Sequence, residues 1–313
     1  HAPIYYQRLG RALKGCPWIN PEDFRLALTK WRGYAGGREV TWTLAKKFAA
    51  DIKSTLKEKG LEKERLGIDG FDEPARQALR EAGIELVEVM PAMLQARAVK
   101  TQDEINCLKM ASAIVDVAWQ AVYECIKPGI RDREIEAVAH EALLKAGAES
   151  IGFVPVTSGA PARSTDKRVQ VGDVVTIDFV GITYLGYTTC YYRSFVVGRK
   201  PTTQERDMHK KCYERIYHVI DAIRPGATSA DAAKHFAPAS RYGHSSEEYM
   251  VGHDLGHGLG LSLYEHPVIE RLYSFQYPQT FEKGMVVAIE AQEDDPNVGL
   301  IKLEEMVVVG ETE

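Results

Sequence analysis

The sequence predicts an α+β chain in two parts, a smaller α/β domain over residues 1–99 and a larger duplicated domain over residues 100–313. Two observations carry this. Gly172-Asp173-Val174-Val175-Thr176-Ile177-Asp178 aligns with Gly284-Met285-Val286-Val287-Ala288-Ile289-Glu290, and Val196-Val197-Gly198 aligns at the same interval with Val308-Val309-Gly310. A capping-box signature followed by a long amphipathic stretch and a Pro-Gly stop also occurs twice, from Thr101 and from Thr202. A strand–turn–strand unit repeated with a carboxylate at each strand end suggests an internal pseudo-two-fold, with the acids facing one another across it.

Taken in order, Thr41 to Lys59 has apolar residues at Leu44, Phe48, Ile52 and Leu56, a spacing that predicts a helix. Leu66 to Asp69 reads as a short strand, Glu73 to Ala82 as a helix and Ile84 to Val89 as an alternating strand. Nothing in this part has ligand or nucleophile spacing, so its expected work is packing, gating or dimerisation. The boundary is expected near Ala98-Val99-Lys100. Thr101 and Glu104 then open a helix with Ile105, Leu108, Val115, Val122 and Ile126 on its apolar side, stopped by Pro128-Gly129. A second helix is expected from Arg133 to Ala146. In the repeat, a helix runs from Thr202 to Ile223, ends before Pro225-Gly226, and is followed by another from about Ala230.

The chain has 313 residues, 45% of them hydrophobic, and 39 basic against 44 acidic residues for a net charge of −5. That supports a substantial core. No polybasic run exists, which argues against nucleic-acid and membrane-surface roles. No apolar run approaches bilayer length, and no secretory leader is visible. Beginning at His1 rather than Met, the chain leaves room for a preceding segment. The 5 cysteines have no paired spacing and read as reduced thiols of a cytoplasmic protein.

The chemistry gathers around Gly256-His257-Gly258-Leu259-Gly260-Leu261 and the following Ser262-Leu263-Tyr264-Glu265-His266-Pro267. Asp178 and Glu290 end apolar runs that read as buried, and Glu304 lies on the closing strand. A buried carboxylate is costly unless paired or bound to a cation. Several carboxylates with one imidazole suit Mn, Co, Fe or Zn. The glycines permit close backbone approach and make a helix through His253 and His257 improbable. His253 therefore stands behind the ligands rather than among them.

These residues resemble the Gly-His-Gly-Ile-Gly-Leu-x-x-His-Glu-x-Pro signature of the pita-bread hydrolases: methionine aminopeptidase, Xaa-Pro aminopeptidase, prolidase and creatinase. The resemblance extends from about Val99 to Glu313, through Gly172–Asp178, Gly186–Phe195, Gly284–Glu290 and Leu303-Glu304. It implies a pita-bread catalytic domain preceded by a creatinase- or prolidase-like α/β domain, here short. It also implies metal ligands at Asp178, His257, Glu290 and Glu304, with Glu290 accepting a proton from the attacking water.

Two positions depart from the family pattern. Cys190 stands where a bridging Asp is expected; as a thiolate it offers one donor atom, which favours Zn or Fe and one ion rather than two, with a metal-free site as the alternative. Tyr264 stands where a catalytic His is expected, and a phenol donates a hydrogen bond but is a poor acid or base near neutrality. Tyr264 and Glu265 remain catalytic candidates, and His253, Arg193 and His266 candidate substrate-binding residues. The short loop Ser158–Arg163 lacks the substrate-side histidine expected before Thr165. The expected function is metal-dependent C–N bond hydrolysis of Xaa-Pro peptidase type, on a small peptide or small polar substrate, by a homodimer. The alternatives are a metal-free creatinase-like hydrolase or lyase, including one with Cys190 as nucleophile, and an inactive binding protein of the same fold.

Overall fold

A computed structural model describes residues 5–7, 24–26, 33–70, 72–159 and 166–311. The chain divides into two compact units, residues 1–93 and 94–313. In the first, β1 (Tyr5–Gln7) and β2 (Phe24–Leu26) form a parallel pair, as do β3 (Leu66–Ile68) and β4 (Leu86–Glu88). Helices α1 (Arg38–Glu58) and α2 (Glu73–Glu81) meet through Ala45, Ala49, Ala78 and Leu79, with Phe48, Ile52 and Leu56 packed alongside. Asp72 caps α2 by accepting the Ala75 N–H at 3.1 Å. Helix α3 (Met90–Ala98), absent from the sequence reading, follows directly on β4.

The second unit is built twice from one plan. Helices α4 (Gln102–Cys125) and α5 (Asp132–Ala146) accompany β5 (Ser150–Phe153), β6 (Val156–Ser158) and the antiparallel hairpin β7 (Val174–Tyr184) and β8 (Tyr187–Val196). Helices α6 (Thr203–Ala222) and α7 (Ser229–Ala233) accompany β9 (Leu255–Gly258), β10 (Glu265–Ile269), the short helix α8 (Arg271–Ser274) and the hairpin β11 (Val286–Asp295) and β12 (Gly299–Val308). Both capping boxes form: Thr101 with Glu104, and Thr202 with Glu205. Gly129 and Gly226, at φ of 90° and 86°, turn the chain after the two prolines, a backbone region that favours glycine.

The period-2 alternation of strands decides which side chains serve the core. Val175, Ile177, Phe179 and Tyr191 enter the core that α4 and α5 cover. Val287, Ile289, Ala291, Ile301 and Leu303 enter the core that α6 and α7 cover. The intervening residues, Thr176, Asp178, Cys190, Tyr192, Ser194, Glu290, Lys302 and Glu304, are turned to the opposite face. There the two hairpins meet. Ser194 Oγ joins both the N–H and the C=O of Lys302 at 3.0 Å, Thr176 Oγ1 donates to Leu300 O at 2.6 Å, and Arg193 donates to Glu304 O at 2.6 Å. A buried polar face is thus laid between two apolar cores. Among the described residues, no helix is long and apolar enough to cross a membrane.

Candidate metal centre

Register brings the site together. Asp178 pairs with Tyr192, Glu290 with Glu304, and His257 of β9 with Ala288 of β11. The glycines beside His257 are needed for contact. A Cβ on Gly258 would lie 2.1 Å from the His266 carbonyl oxygen, and one on Gly256 would lie 2.9 Å from both Ile269 and Ile289. β9 can therefore be inserted between β10 and β11 only with glycine at these positions, and the insertion sets the imidazole against the carboxylates.

One ligating atom from each of Cys190, His257 and Glu304 lies within 4.8 Å of the others, and all three side chains are buried. His257 Nδ1 faces the Gly258 carbonyl at 3.1 Å and donates to it, which fixes the tautomer; Nε2 lies 3.8 Å from Glu304 Oε1. The Cys190 thiol faces Asp178 Oδ1 at 3.7 Å and Glu304 Oε2 at 3.6 Å. Glu304 is 0% exposed, yet its Oε1 has no hydrogen-bond partner. A buried carboxylate oxygen left unpaired carries a large desolvation cost.

Crowding shows in the protonation of these groups. Burial, reinforced by Glu290 and opposed by Tyr192 and Lys302, raises Asp178 to about 7. Burial and the neighbouring acids push Glu304 and the Cys190 thiol well above their ordinary values. Burial holds His257 below the usual histidine range, despite the pull of Glu290.

Asp178's folded pKa lies above its ordinary value, so native protein holds a proton the unfolded chain has released. The associated stability is full below about 4 and is lost as pH rises through about 7. His257 works in the opposite sense below about 6.5. In metal-free protein stability should therefore fall as pH rises through about 7, and Glu304, raised in the same sense, reinforces the fall. Denaturant midpoints in chelator should show it, and Asp178→Asn should flatten the profile.

Two residues of this face escaped the sequence reading. Lys302 Nζ lies 2.5 Å from Glu290 Oε2 and 3.9 Å from the centroid of the Tyr192 ring. Burial opposes its charge, but Glu290, Glu304 and Asp178 hold its pKa above the ordinary lysine value. Tyr192 shares a hydrogen bond with Asp178, and burial lifts its phenol far above its usual range. Both could have been found by parity, since Lys302 is two residues from Glu304 and Tyr192 two from Cys190 on adjacent strands.

The other candidates are dispersed. The Tyr264 ring lies tilted against the His257 ring, centroids 4.6 Å apart, and is 58% exposed, forming a lip. Glu265 is buried in an ion pair: Oε2 meets Lys100 Nζ at 2.9 Å, and Oε1 meets Arg97 Nε at 3.4 Å and the Ser262 N–H at 3.1 Å. Arg193 braces backbone, donating to the carbonyls of Tyr192 and Glu304, and pairs with Glu305 at 3.0 Å. His253 belongs to another polar group, beside Asp254 at 3.3 Å and against Tyr242, where Arg215 holds Asp254 and Glu293. His266 Nδ1 lies 2.7 Å from Gln279 Nε2. Residues 160–165 of the loop expected to carry a substrate-side histidine lie outside the described residues. The cysteines described, Cys107, Cys125, Cys190 and Cys212, are free.

Residues 106–311 match the profile of metallopeptidase family M24. The chain belongs to this family. It is 30% identical over 237 residues to an Xaa-Pro dipeptidase of Pyrococcus furiosus, an alignment covering 72% of this chain and 65% of that protein. It is 26% identical to a creatinase of a Bacillus species, over 95% of this chain and 74% of that one. Among solved structures it resembles the prolidase from Pyrococcus furiosus, with a TM-score of 0.68 at 30% identity over 80% of this chain and 74% of that one. The second unit thus has the pita-bread fold of the M24 enzymes. The chain spans just under two thirds of the length of the curated dipeptidase it matches.

Membership in a metallopeptidase family implies a divalent metal, and the residues fit one. A thiol, an imidazole and a carboxylate converge within 4.8 Å of one another, and the unpaired Glu304 oxygen lacks the partner a cation would supply. Such a mixed S/N/O set suits Zn or Fe better than Mn.

Proposed function

We propose that the protein is a metal-dependent hydrolase of a C–N bond of the Xaa-Pro dipeptidase type, with an atypical centre. The observation that carries the reading is the convergence of Cys190, His257 and Glu304, whose Oε1 is buried without a hydrogen-bond partner, within an M24 domain. A divalent ion bound there would supply Lewis acidity and a water acidified toward neutrality. Asp178 and Glu290 lie on the same buried face as these residues, and Glu290, held by Lys302, would accept a proton from the acidified water. Tyr264, at the lip, offers its phenol as a hydrogen-bond donor to a substrate carbonyl. Buried between Lys100 and Arg97, Glu265 stabilises the loop that presents Tyr264, and Arg193 braces the strands that carry the ligands.

In this reading residues 1–99 are the smaller α/β domain of the prolidases and creatinases, and residues 100–313 the catalytic domain. The enzyme works as a cytoplasmic homodimer on small peptides.

The test is turnover of a panel of Xaa-Pro dipeptides by chelator-stripped protein, before and after Zn, Fe, Co or Mn is returned. Cleavage restored by metal supports the reading; absence of cleavage with every ion removes it. One observation favours a second reading, a metal-free hydrolase: Lys302 already places a cation against Glu290. Turnover unaffected by chelator selects that reading instead.

A further inference from the structure

The polar group around Asp254 has a neighbour left without a partner. Glu270 follows β10, opens α8 and is 8% exposed. Its backbone N–H donates to Ser274 Oγ at 3.0 Å. Among the described residues, its carboxylate meets no hydrogen-bond donor and no cation, and burial alone acts on its pKa, raising it. The side chain lines a cavity of about 10 Å³ together with Glu247, Asp254, Arg271, Phe236 and Ala237. That is room for one water-sized body.

The other two acids of the cavity are unequally engaged. Asp254 is saturated. Arg215 Nη1 donates to both of its oxygens, at 3.1 and 3.0 Å, and the N–H groups of Gln292 and Ala237 add contacts of 3.1 and 3.4 Å. Glu247 is half used. Its Oε1 accepts from Arg271 Nε at 3.0 Å, whereas its Oε2 is buried with no hydrogen-bond partner.

A buried carboxylate without a partner is costly, and charge selects what could relieve it. Arg215 neutralises Asp254, Arg271 neutralises Glu247, and Arg241 meets Glu293 at 3.3 Å. Among the described residues, Glu270 is the carboxylate left over, a single negative charge. A water molecule would fill the space and leave that charge standing. A divalent ion would replace it with an excess of the opposite sign. A monovalent ion balances it, and the free oxygens of two carboxylates are the donors that hard cations take.

We propose that this cavity is a binding site for one monovalent metal cation, sodium or potassium, held by Glu270 and by Oε2 of Glu247. The ion ties the 3₁₀ turn Glu247–Met250 to α8. The proposal is independent of the reading given to Cys190, His257 and Glu304, because none of those residues lines this cavity.

Stability in different salts tests it. Denaturant midpoints of the protein as purified are measured in sodium, potassium and choline chloride at constant ionic strength, choline being too large for the cavity. The pH is held at about 8, above the ordinary carboxylate range. With sodium or potassium at about ten times its dissociation constant, the folded-to-unfolded ratio of wild type should rise roughly tenfold over choline and saturate with concentration. Glu270→Gln, which keeps the shape and removes the charge, should show no such difference. Glu270→Ala carries the comparison if the first variant fails to fold. Equal wild-type midpoints in the three salts overturn the proposal, since Glu270 then holds a proton or water instead. A preference for the small cations that persists in the Glu270 variant overturns it as well, because the ion then binds elsewhere.

Discussion

Replacing His257 with alanine is expected to weaken divalent-ion binding by roughly 100-fold or more, since loss of even a residue that merely supports a ligand costs 10–100-fold. His257 is the one imidazole of the centre, 1% exposed, with its tautomer fixed by the Gly258 carbonyl. Its removal leaves a thiol and carboxylates that burial keeps protonated, a poor receptor for a cation near neutrality. Isothermal titration with Zn checks the affinity, and a thermal melt in chelator checks that the fold survives. Metal-dependent turnover should fall with the affinity. Unchanged binding by a folded His257→Ala protein would mean that the ion, if bound, sits elsewhere.

Glu265→Ala is expected to destabilise the protein by roughly 3–5 kcal/mol, the usual cost of stripping one partner from a buried ion pair. Its side chain is completely buried, and that of Lys100 is 1% exposed. Burial already lowers the Lys100 pKa, although Glu265 pulls the other way. Without the carboxylate the amine must shed its proton or remain an uncompensated charge. The double variant Glu265→Leu/Lys100→Met should recover much of the loss, because removing both charges also removes the desolvation cost. Chemical denaturation of the three proteins measures this. A single variant as stable as wild type would show that the pair does not hold the Tyr264 loop.

Much of this architecture was legible in the sequence because local chemistry and tertiary context agree. The Thr101 and Thr202 capping boxes, the Pro-Gly stops and the repeated apolar strands each specify one local structure, and each formed. The repeat placed Asp178 and Glu290 at equivalent points of two hairpins, and the family pattern placed Cys190 and Glu304 on the strands that pair with them. Helix α3 was missed because Pro91 and mixed polarity hide its period; it has almost no amphipathic signal to read. Lys302 was missed for a different reason. A lysine between apolar strand residues reads as solvated, and only the position of Glu304 two residues on reveals that it shares the buried face. The ion pair that captures Glu265 joins residues 165 apart, so no local pattern announces it. His253 had helical ligand spacing to His257, but β9 starts between them and turns them to different polar groups.

The central claim is that Cys190, His257 and Glu304 hold one divalent ion in a mixed S/N/O shell. X-ray absorption at the zinc edge of protein loaded with one equivalent tests it most directly. The account predicts a single sulfur scatterer near 2.3 Å, with imidazole and carboxylate scatterers at about 2.0–2.2 Å, and loss of the sulfur shell in Cys190→Ser. A shell of oxygen and nitrogen alone in the wild-type protein would contradict it.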